Sequence, residues 1–197
     1  MSEATERVLS WSKKIENFCS AKWDRLPEIY LYMDQVLTYM NGQLCLFKRN
    51  ESDALLTSSM INNYVKAGVL PRPAQKKYSR GHLAILTVVC LLKQVLSIQD
   101  ISALVRTLLK NAPASEIYDR FCEAQTGALK EVCARVRSAA SKGEAEMTRL
   151  AIELSVEANA RRTAAERILS ALEAADRRRG RRAVEAGRPA AVKRRTS

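Results

Sequence analysis

Histidine is almost missing from this chain of 197 residues, which has one, His82. A metal centre or a nucleophile–base pair built on imidazole would have to use that single ring, and nothing around it points to such a role. His82 falls in the first turn of an expected helix and is read as a surface residue without chemistry. The five cysteines (Cys19, Cys45, Cys90, Cys122, Cys133) are odd in number and form no C-x-x-C pair. They are expected to pack mostly as small hydrophobes in a reducing compartment rather than as a zinc or disulfide framework. Also lacking are a glycine-rich phosphate loop, a nucleophile elbow and paired carboxylates in an apolar setting, so no enzyme and no cofactor are expected. The most apolar run, residues 83–92, is about half of the ~20 residues that a membrane-spanning helix needs. "MSEATERVLSWSKK" has no basic start followed by an apolar stretch, so no secretory signal is visible. The expectation is a soluble, cytoplasmic protein. Acid is scarce too: 21 Asp and Glu stand against 33 Lys and Arg, for a net charge of +12 and a pI near 9.8. Such a balance favours a polyanionic partner, nucleic acid before an anionic membrane surface.

What the chain does have is helix. Its apolar fraction of 47% is enough for a packed core, and its length suits one domain with an extension. Val8, Trp11, Ile15 and Phe18 mark an amphipathic helix ending near Cys19. Pro27 reads as the start of a second helix carrying Ile29, Met33, Val36, Met40, Leu44 and Phe47, with Gly42 weakening its last turns. "KRNESDAL" is a polar connector. Ser79 caps a helix that is apolar nearly all round, Leu83 through Val95, and so belongs at the centre of the core. Ser97 and Asp100 form a capping box for the next, with Ile101, Leu104, Val105, Leu108 and Leu109 as its buried stripe. Pro113 opens a helix carrying Ile117, Phe121, Leu129, Val132 and Val136, with Gly127 as a weak point. After "SKGEAE" a last helix is expected from about Glu144 to Arg179. Its heptad-spaced seam is Met147, Ala151, Leu154, Ala158, Arg161, Ala165, Ile168, Leu172 and Ala175, alanine-rich and interrupted by Arg161.

Between these lies "LTSSMINNYVKAGVLPRP". Thr57 is a fit N-cap and Gly68 a fit C′ residue, with Pro71-Arg72-Pro73 as the stop. Met60, Ile61, Tyr64 and Val65 form an apolar face; Ser59, Asn62, Asn63 and Lys66 recur at helical spacing on the other. That second face carries hydrogen-bonding groups and no acid, which suits DNA. "RPAQKKY", which follows, is either a small β-ribbon or a plain loop. Tyr64 and Tyr78 are amphipathic and read as core residues with their hydroxyls at the rim. The charge is concentrated at the far end: residues 177–197 carry nine Lys and Arg against Glu185 alone, leaving about +4 for everything before them. This end, with almost no large apolar residues, is expected to be disordered.

The order of elements resembles the MerR-type winged helix-turn-helix of bacterial transcription regulators. Ile61, Tyr64, Gly68, Val69, Leu70 and Pro71 match its recognition-helix end. Tyr78 and Ser79 match its wing end, and Leu96, Ser97, Ile98 and Ile101 the helix after it. More narrowly, "LPEIYLYMDQV", "LTSSMINNY" and "KKYSRGHL" are similar to a small bacterial family catalogued as a domain of unknown function. The resemblance covers about residues 25–110. It implies a mainly α, MerR-like winged-helix core that binds double-stranded DNA and controls transcription, usually as a homodimer, with helix 58–67 in the major groove and segment 72–78 as the wing. Two departures stand out: Asn62-Asn63 replace the Arg-Tyr that commonly precedes the tyrosine, and the connector before Thr57 is longer than the usual tight turn.

The expected contact set is therefore Thr57, Ser58, Ser59, Asn62, Asn63, Tyr64 and Lys66 on the helix and Arg72, Lys76, Lys77 and Tyr78 on the wing. Arg177, Arg178, Arg179, Arg181, Arg182, Lys193, Arg194 and Arg195 would touch phosphate without regard to sequence. The expected organisation is an N-terminal helix (1–24), the DNA-binding domain (25–112), C-terminal helices with a possible dimer interface (113–179) and a basic tail (180–197). Localisation follows the DNA, in the cytoplasm with the nucleoid. No small-molecule effector is indicated. The alternative is a non-catalytic interaction or scaffold protein that binds nucleic acid nonspecifically through its arginines.

Overall fold

The computed structural model describes residues 2–16, 18, 20–48, 50 and 53–186, with side chains up to Arg179. The protein is mainly α. Its helices are α1 (Glu3–Glu16), α2 (Met33–Leu44), α3 (Ser58–Lys66), α4 (Arg80–Leu92), α5 (Ile98–Asn111), α6 (Ala114–Lys142) and α7 (Glu144–Ala186). Among the described residues no strand forms, only two isolated antiparallel bridges, Leu31 with Tyr78 and Ala74 with Lys77. No described helix is long and apolar enough to cross a membrane.

α4 lies at the centre, as its apolar sequence requires. Leu83, Leu86 and Val89 are buried with Val36 and Met40 of α2, Ile61 and Tyr64 of α3 and Ile101 of α5. Each fully buried aliphatic side chain contributes about 1.5–3 kcal/mol. A second cluster, Leu26, Ala84, Tyr118 and Cys122, ties α4 to α6. A third joins Val8 of α1 and Val136 of α6 to Leu150 and Leu154 of α7. Cys90, Cys122 and Cys133 are buried and Cys45 is exposed; burial pushes the Cys90 thiol up to about 11, so it packs and does not react.

Several elements differ from expectation. Pro27 does not start a helix. Leu31 exchanges both backbone hydrogen bonds with Tyr78, at 2.9 and 2.8 Å, which demands extended backbone at that point. Helix α2 therefore waits until Met33, the Tyr32 N–H being capped by Gln35 Oε1 at 2.9 Å, and Ile29 is left exposed. Helix α1 ends at Glu16, and Cys19 lies outside the described residues. Trp11 sits off the buried face, where Thr5, Ser12 and Ile15 turn inward instead. The small Thr5 and Ser12, like the buried Cys133, Ala139 and Ala140 of α6, suit a close approach of the two helices. Helix α4 stops at Leu92, and Val95 is exposed. Helix α6 runs unbroken through Gly127. On α5, Leu108 and Leu109 stay exposed rather than completing the buried stripe.

Helix α7 keeps only part of its expected seam. Met147 and Leu154 pack on α6, but Leu150 is buried there in place of the exposed Ala151. Arg135 of α6 pairs with Glu157 at 2.8 Å. Farther along, Leu169 is buried, while Ile168 and Leu172 are 60% and 51% exposed. α5 intervenes there, and the inward face rotates by a residue to meet it. The expected tail is also partly helix. α7 continues past Arg179 to Ala186, because Arg, Ala and Glu are good helix formers. Lys193, Arg194 and Arg195 lie outside the described residues.

Gly143 joins α6 to α7 at φ +108°, with open space where a Cβ would stand. Only glycine is at ease there, so Gly143→Ala should cost about 1–3 kcal/mol through backbone strain alone. Urea unfolding would read this as a lowered midpoint with an unchanged m-value; an unchanged midpoint would show that the junction relaxes freely.

Candidate nucleic-acid interface

Local chemistry fixes α3 at both ends. Thr57 Oγ1 accepts the Met60 N–H at 3.2 Å, as an N-cap should. At the other end Gly68 takes φ +71°, and the N–H groups of Val69 and Leu70 both reach the Tyr64 carbonyl, at 3.0 and 3.2 Å, satisfying the last turn. Ile61 and Tyr64 are buried, while Ser58, Ser59, Asn62, Asn63 and Lys66 are exposed. The helix therefore shows solvent a face of hydroxyls, amides and one ammonium, and carries no acidic residue.

The segment after Pro73 is a ribbon in miniature. The Lys77 N–H donates to the Ala74 carbonyl at 2.9 Å, and the two residues between them, Gln75 and Lys76, have φ +51° and +61°. Positive φ at both central positions marks a type I′ hairpin turn, whose usual occupants are asparagine and glycine. Holding two larger side chains there costs roughly 1–2 kcal/mol each. Arg72 and Lys76 are exposed and Lys77 is half-buried. Leu31 pairs with Tyr78 where the ribbon ends, and both side chains enter the core that holds Ile61 and Tyr64.

The structure revises parts of the expected contact set. Tyr64 and Tyr78 are only 5% and 3% exposed; they support the face from beneath and cannot present a contact. Burial also holds both phenols above their ordinary pKa. Thr57 is half-buried, with its hydroxyl engaged in the cap. Arg177 is paired with Glu173 at 2.7 Å and, like Arg178 and Arg179, lies on α7 rather than on a free tail. Periodicity thus placed α3's outward residues well. It also set Tyr64 on the apolar face, and the reading of both tyrosines as core residues agrees with their burial.

His82 is not a surface residue. It is half-buried, its Nδ1 accepts the Ser79 N–H at 3.1 Å, and its ring meets Tyr78 edge to face at 5.6 Å. It is the reciprocal member of α4's capping box, in the place usually held by Glu or Gln. Arg80 was not singled out by its sequence setting. Its guanidinium pairs with Glu28 at 2.7 Å and stands 6.0 Å over the Trp23 ring. Tyr30 and Tyr32, on either side of Leu31, are exposed beside the ribbon; the period-2 alternation Tyr-Leu-Tyr was their only signal.

These features define a mainly helical unit in which a capped, two-faced helix and a basic ribbon rest on one core. The family model described as Domain of unknown function (DUF1836) matches residues 21–121, and the chain belongs to that family. The match runs from before α2 into α6, so α3, the ribbon and the central helix all lie within it. No curated protein and no solved structure matches the chain.

His82 is the single histidine, which makes its titration legible. Burial lowers its pKa below 6.5, against a smaller opposing effect of the Pro71 carbonyl. On acidification the unfolded chain binds this proton first, so stability is present above about pH 6.5 and lost as pH falls through the lower folded value. The unfolding free energy should therefore drop more between about pH 7 and 5 in the parent than in His82→Gln, whose amide keeps the cap. Parallel pH profiles would exclude the ring from α4's start.

Proposed function

We propose that this protein is a non-catalytic, sequence-specific DNA-binding regulator built on a winged helix-turn-helix of MerR type. In this reading α3 lies in the major groove and the segment 72–78 is the wing. The observation that carries it is the acid-free polar face of α3, set on the same core as a basic hairpin with two strained residues at its tip. At nine residues α3 is roughly 13 Å long, a fair match to a groove about 12 Å wide. Asn62 and Asn63 can each donate and accept in a bidentate pair with adenine. Ser58, Ser59 and Lys66 suit phosphate oxygens. Arg72, Lys76 and Lys77 would lie along the backbone or minor groove.

The homodimer that the resemblance implies belongs to this reading as well, through the helices after Pro113. Ile152, Val156, Ile168 and Leu172 leave α7 with apolar side chains in solvent. The same residues favour the second reading, an interaction or scaffold protein whose long helix receives a partner and whose arginines bind nucleic acid nonspecifically. Gel retardation decides between them. A regulator shifts its own promoter fragment more than random DNA at about 0.15 M salt, where nonspecific binding is weak; a scaffold does not discriminate.

Two expectations follow for selected genomic sites. Replacing Asn62 and Asn63 with alanine should cost about 1–3 kcal/mol per specific base pairing without lowering thermal stability, since both point outward. Operator binding equal to the parent's would remove α3 as the reader. Truncation after Asp176 should weaken operator and random DNA by similar factors and flatten the plot of log K against log salt, by about 0.9 for each phosphate that the arginines had neutralised. Selective loss of operator preference would mean that the arginines read sequence.

A further inference from the structure

α5 is where the core stops short of what the sequence sets out. Leu104, Val105, Leu108 and Leu109 share a stripe, yet on this helix only Ile101 and Ser102, near its start, are buried. Leu108 and Leu109 remain 38% and 45% exposed. The stripe faces a cavity of about 550 Å³, whose other walls are Ala84, Ile85, Val88 and Leu92 of α4 and Ile117 and Phe121 of α6. A second space of about 390 Å³ flanks α5 on the α7 side, and Leu104 borders both. Val105 packs against the central core, but the last turns of α5 are loosely packed and leave Leu108 and Leu109 partly uncovered.

Polar groups gather at one rim of the larger cavity. Asn111 is engaged with the Thr107 carbonyl at 2.9 Å. Arg120 pairs with Glu116 at 2.7 Å, both substantially exposed, and an exposed i,i+4 pair of this kind is weak enough to exchange for a ligand carboxylate. The volume falls in the range of small-molecule sites, about 300–1,000 Å³, and three helical walls make it concave. Away from that rim the lining is aliphatic apart from Phe121 and Tyr118, which suits a flexible hydrocarbon chain better than a flat ring system.

We propose that the cavity between α4, α5 and α6 binds an aliphatic carboxylate of the fatty-acid class, its chain along α4 and α5 and its head at Arg120. The site stands whether or not the chain binds DNA. Occupancy would cover Leu104, Val105, Leu108 and Leu109 and fix α5 against its neighbours.

The test is a fluorescence titration of the full-length protein with 11-(dansylamino)undecanoic acid, followed by displacement with palmitate and with hexadecanol, each below its aggregation limit. Saturable binding is expected, with palmitate displacing the probe about tenfold better than the alcohol. Leu108→Trp, at the exposed mouth, should weaken binding at least about tenfold while circular dichroism shows the parent fold. Val88→Phe should do the same from the cavity floor, and if it unfolds Leu108→Trp alone decides. Arg120→Gln should erase the acid's advantage over the alcohol and leave alcohol binding intact. Three results would overturn the proposal: no saturable signal up to about 100 μM protein; binding indifferent to Leu108→Trp; or self-association that Leu108→Trp abolishes and palmitate leaves untouched, which would give the groove to a second copy of the chain.

Discussion

Two backbone hydrogen bonds between Leu31 and Tyr78 hold α2, the ribbon and the start of α4 in one piece. By themselves such bonds contribute only about 0.5–1.5 kcal/mol each. Their leverage comes from what they position. Extended backbone at Leu31 sets where α2 begins, and the same pair fixes the end of the ribbon one residue before Ser79 starts α4. Both side chains then drop into the core beside Ile61 and Tyr64. Helix α3 and the ribbon are thus referenced to one packed surface, and their separation cannot drift without opening that core. Under the proposed reading, touching a duplex at two places would need that rigidity, because misplacing either element pulls the other out of register.

How much of this could be read in advance depended on the range of the determining interaction. The Thr57 cap, the Gly68 exit, the Ser97–Asp100 box and the all-round apolar α4 were legible because each is set within a few residues. The outward positions Ser59, Asn62, Asn63 and Lys66 followed from helical period for the same reason. Ile29, Ile168 and Leu172 were misplaced because a bridge across many residues in one case, and the intrusion of α5 in the other, override the local period. Tyr64 and Tyr78, read as core residues and yet counted among the contacts, show the limit: an amphipathic side chain suits either place, and the tertiary neighbours put both in the core.

Charge teaches a related lesson. The excess of +12 is a property of the whole chain, and it does not say where the field is strong. Along α7, Arg149, Arg161, Arg162 and Arg177 each lie within ion-pairing distance of a glutamate one turn away, so much of that arginine density is neutralised in place. Near the ribbon, Glu28 is matched by Arg80. The polar face of α3, by contrast, has a single charge and no acid, so its hydrogen-bonding groups remain available to an incoming anion or base edge. Local absence of acid therefore marks the candidate interface where net charge does not.

α6 turns these parts into one body. Its first turns are buried against α4 through Tyr118 and Cys122, and its far half carries α1 and the start of α7 through Val136 and Ala139. With 29 residues and no break at Gly127, it spans roughly 43 Å as a single rod. The loop before Pro113 therefore divides the chain in sequence without dividing it mechanically. Any rearrangement where α4, α5 and α6 meet must be carried along that rod to α1 and the start of α7 or absorbed within α5. Of these elements α5 is the least tightly held, with cavities on both flanks and burial confined to its first turns. Adjustment is cheapest in its last turns, because Ile101 at its start is buried in the same core as Ile61 and Tyr64 and ties that end down.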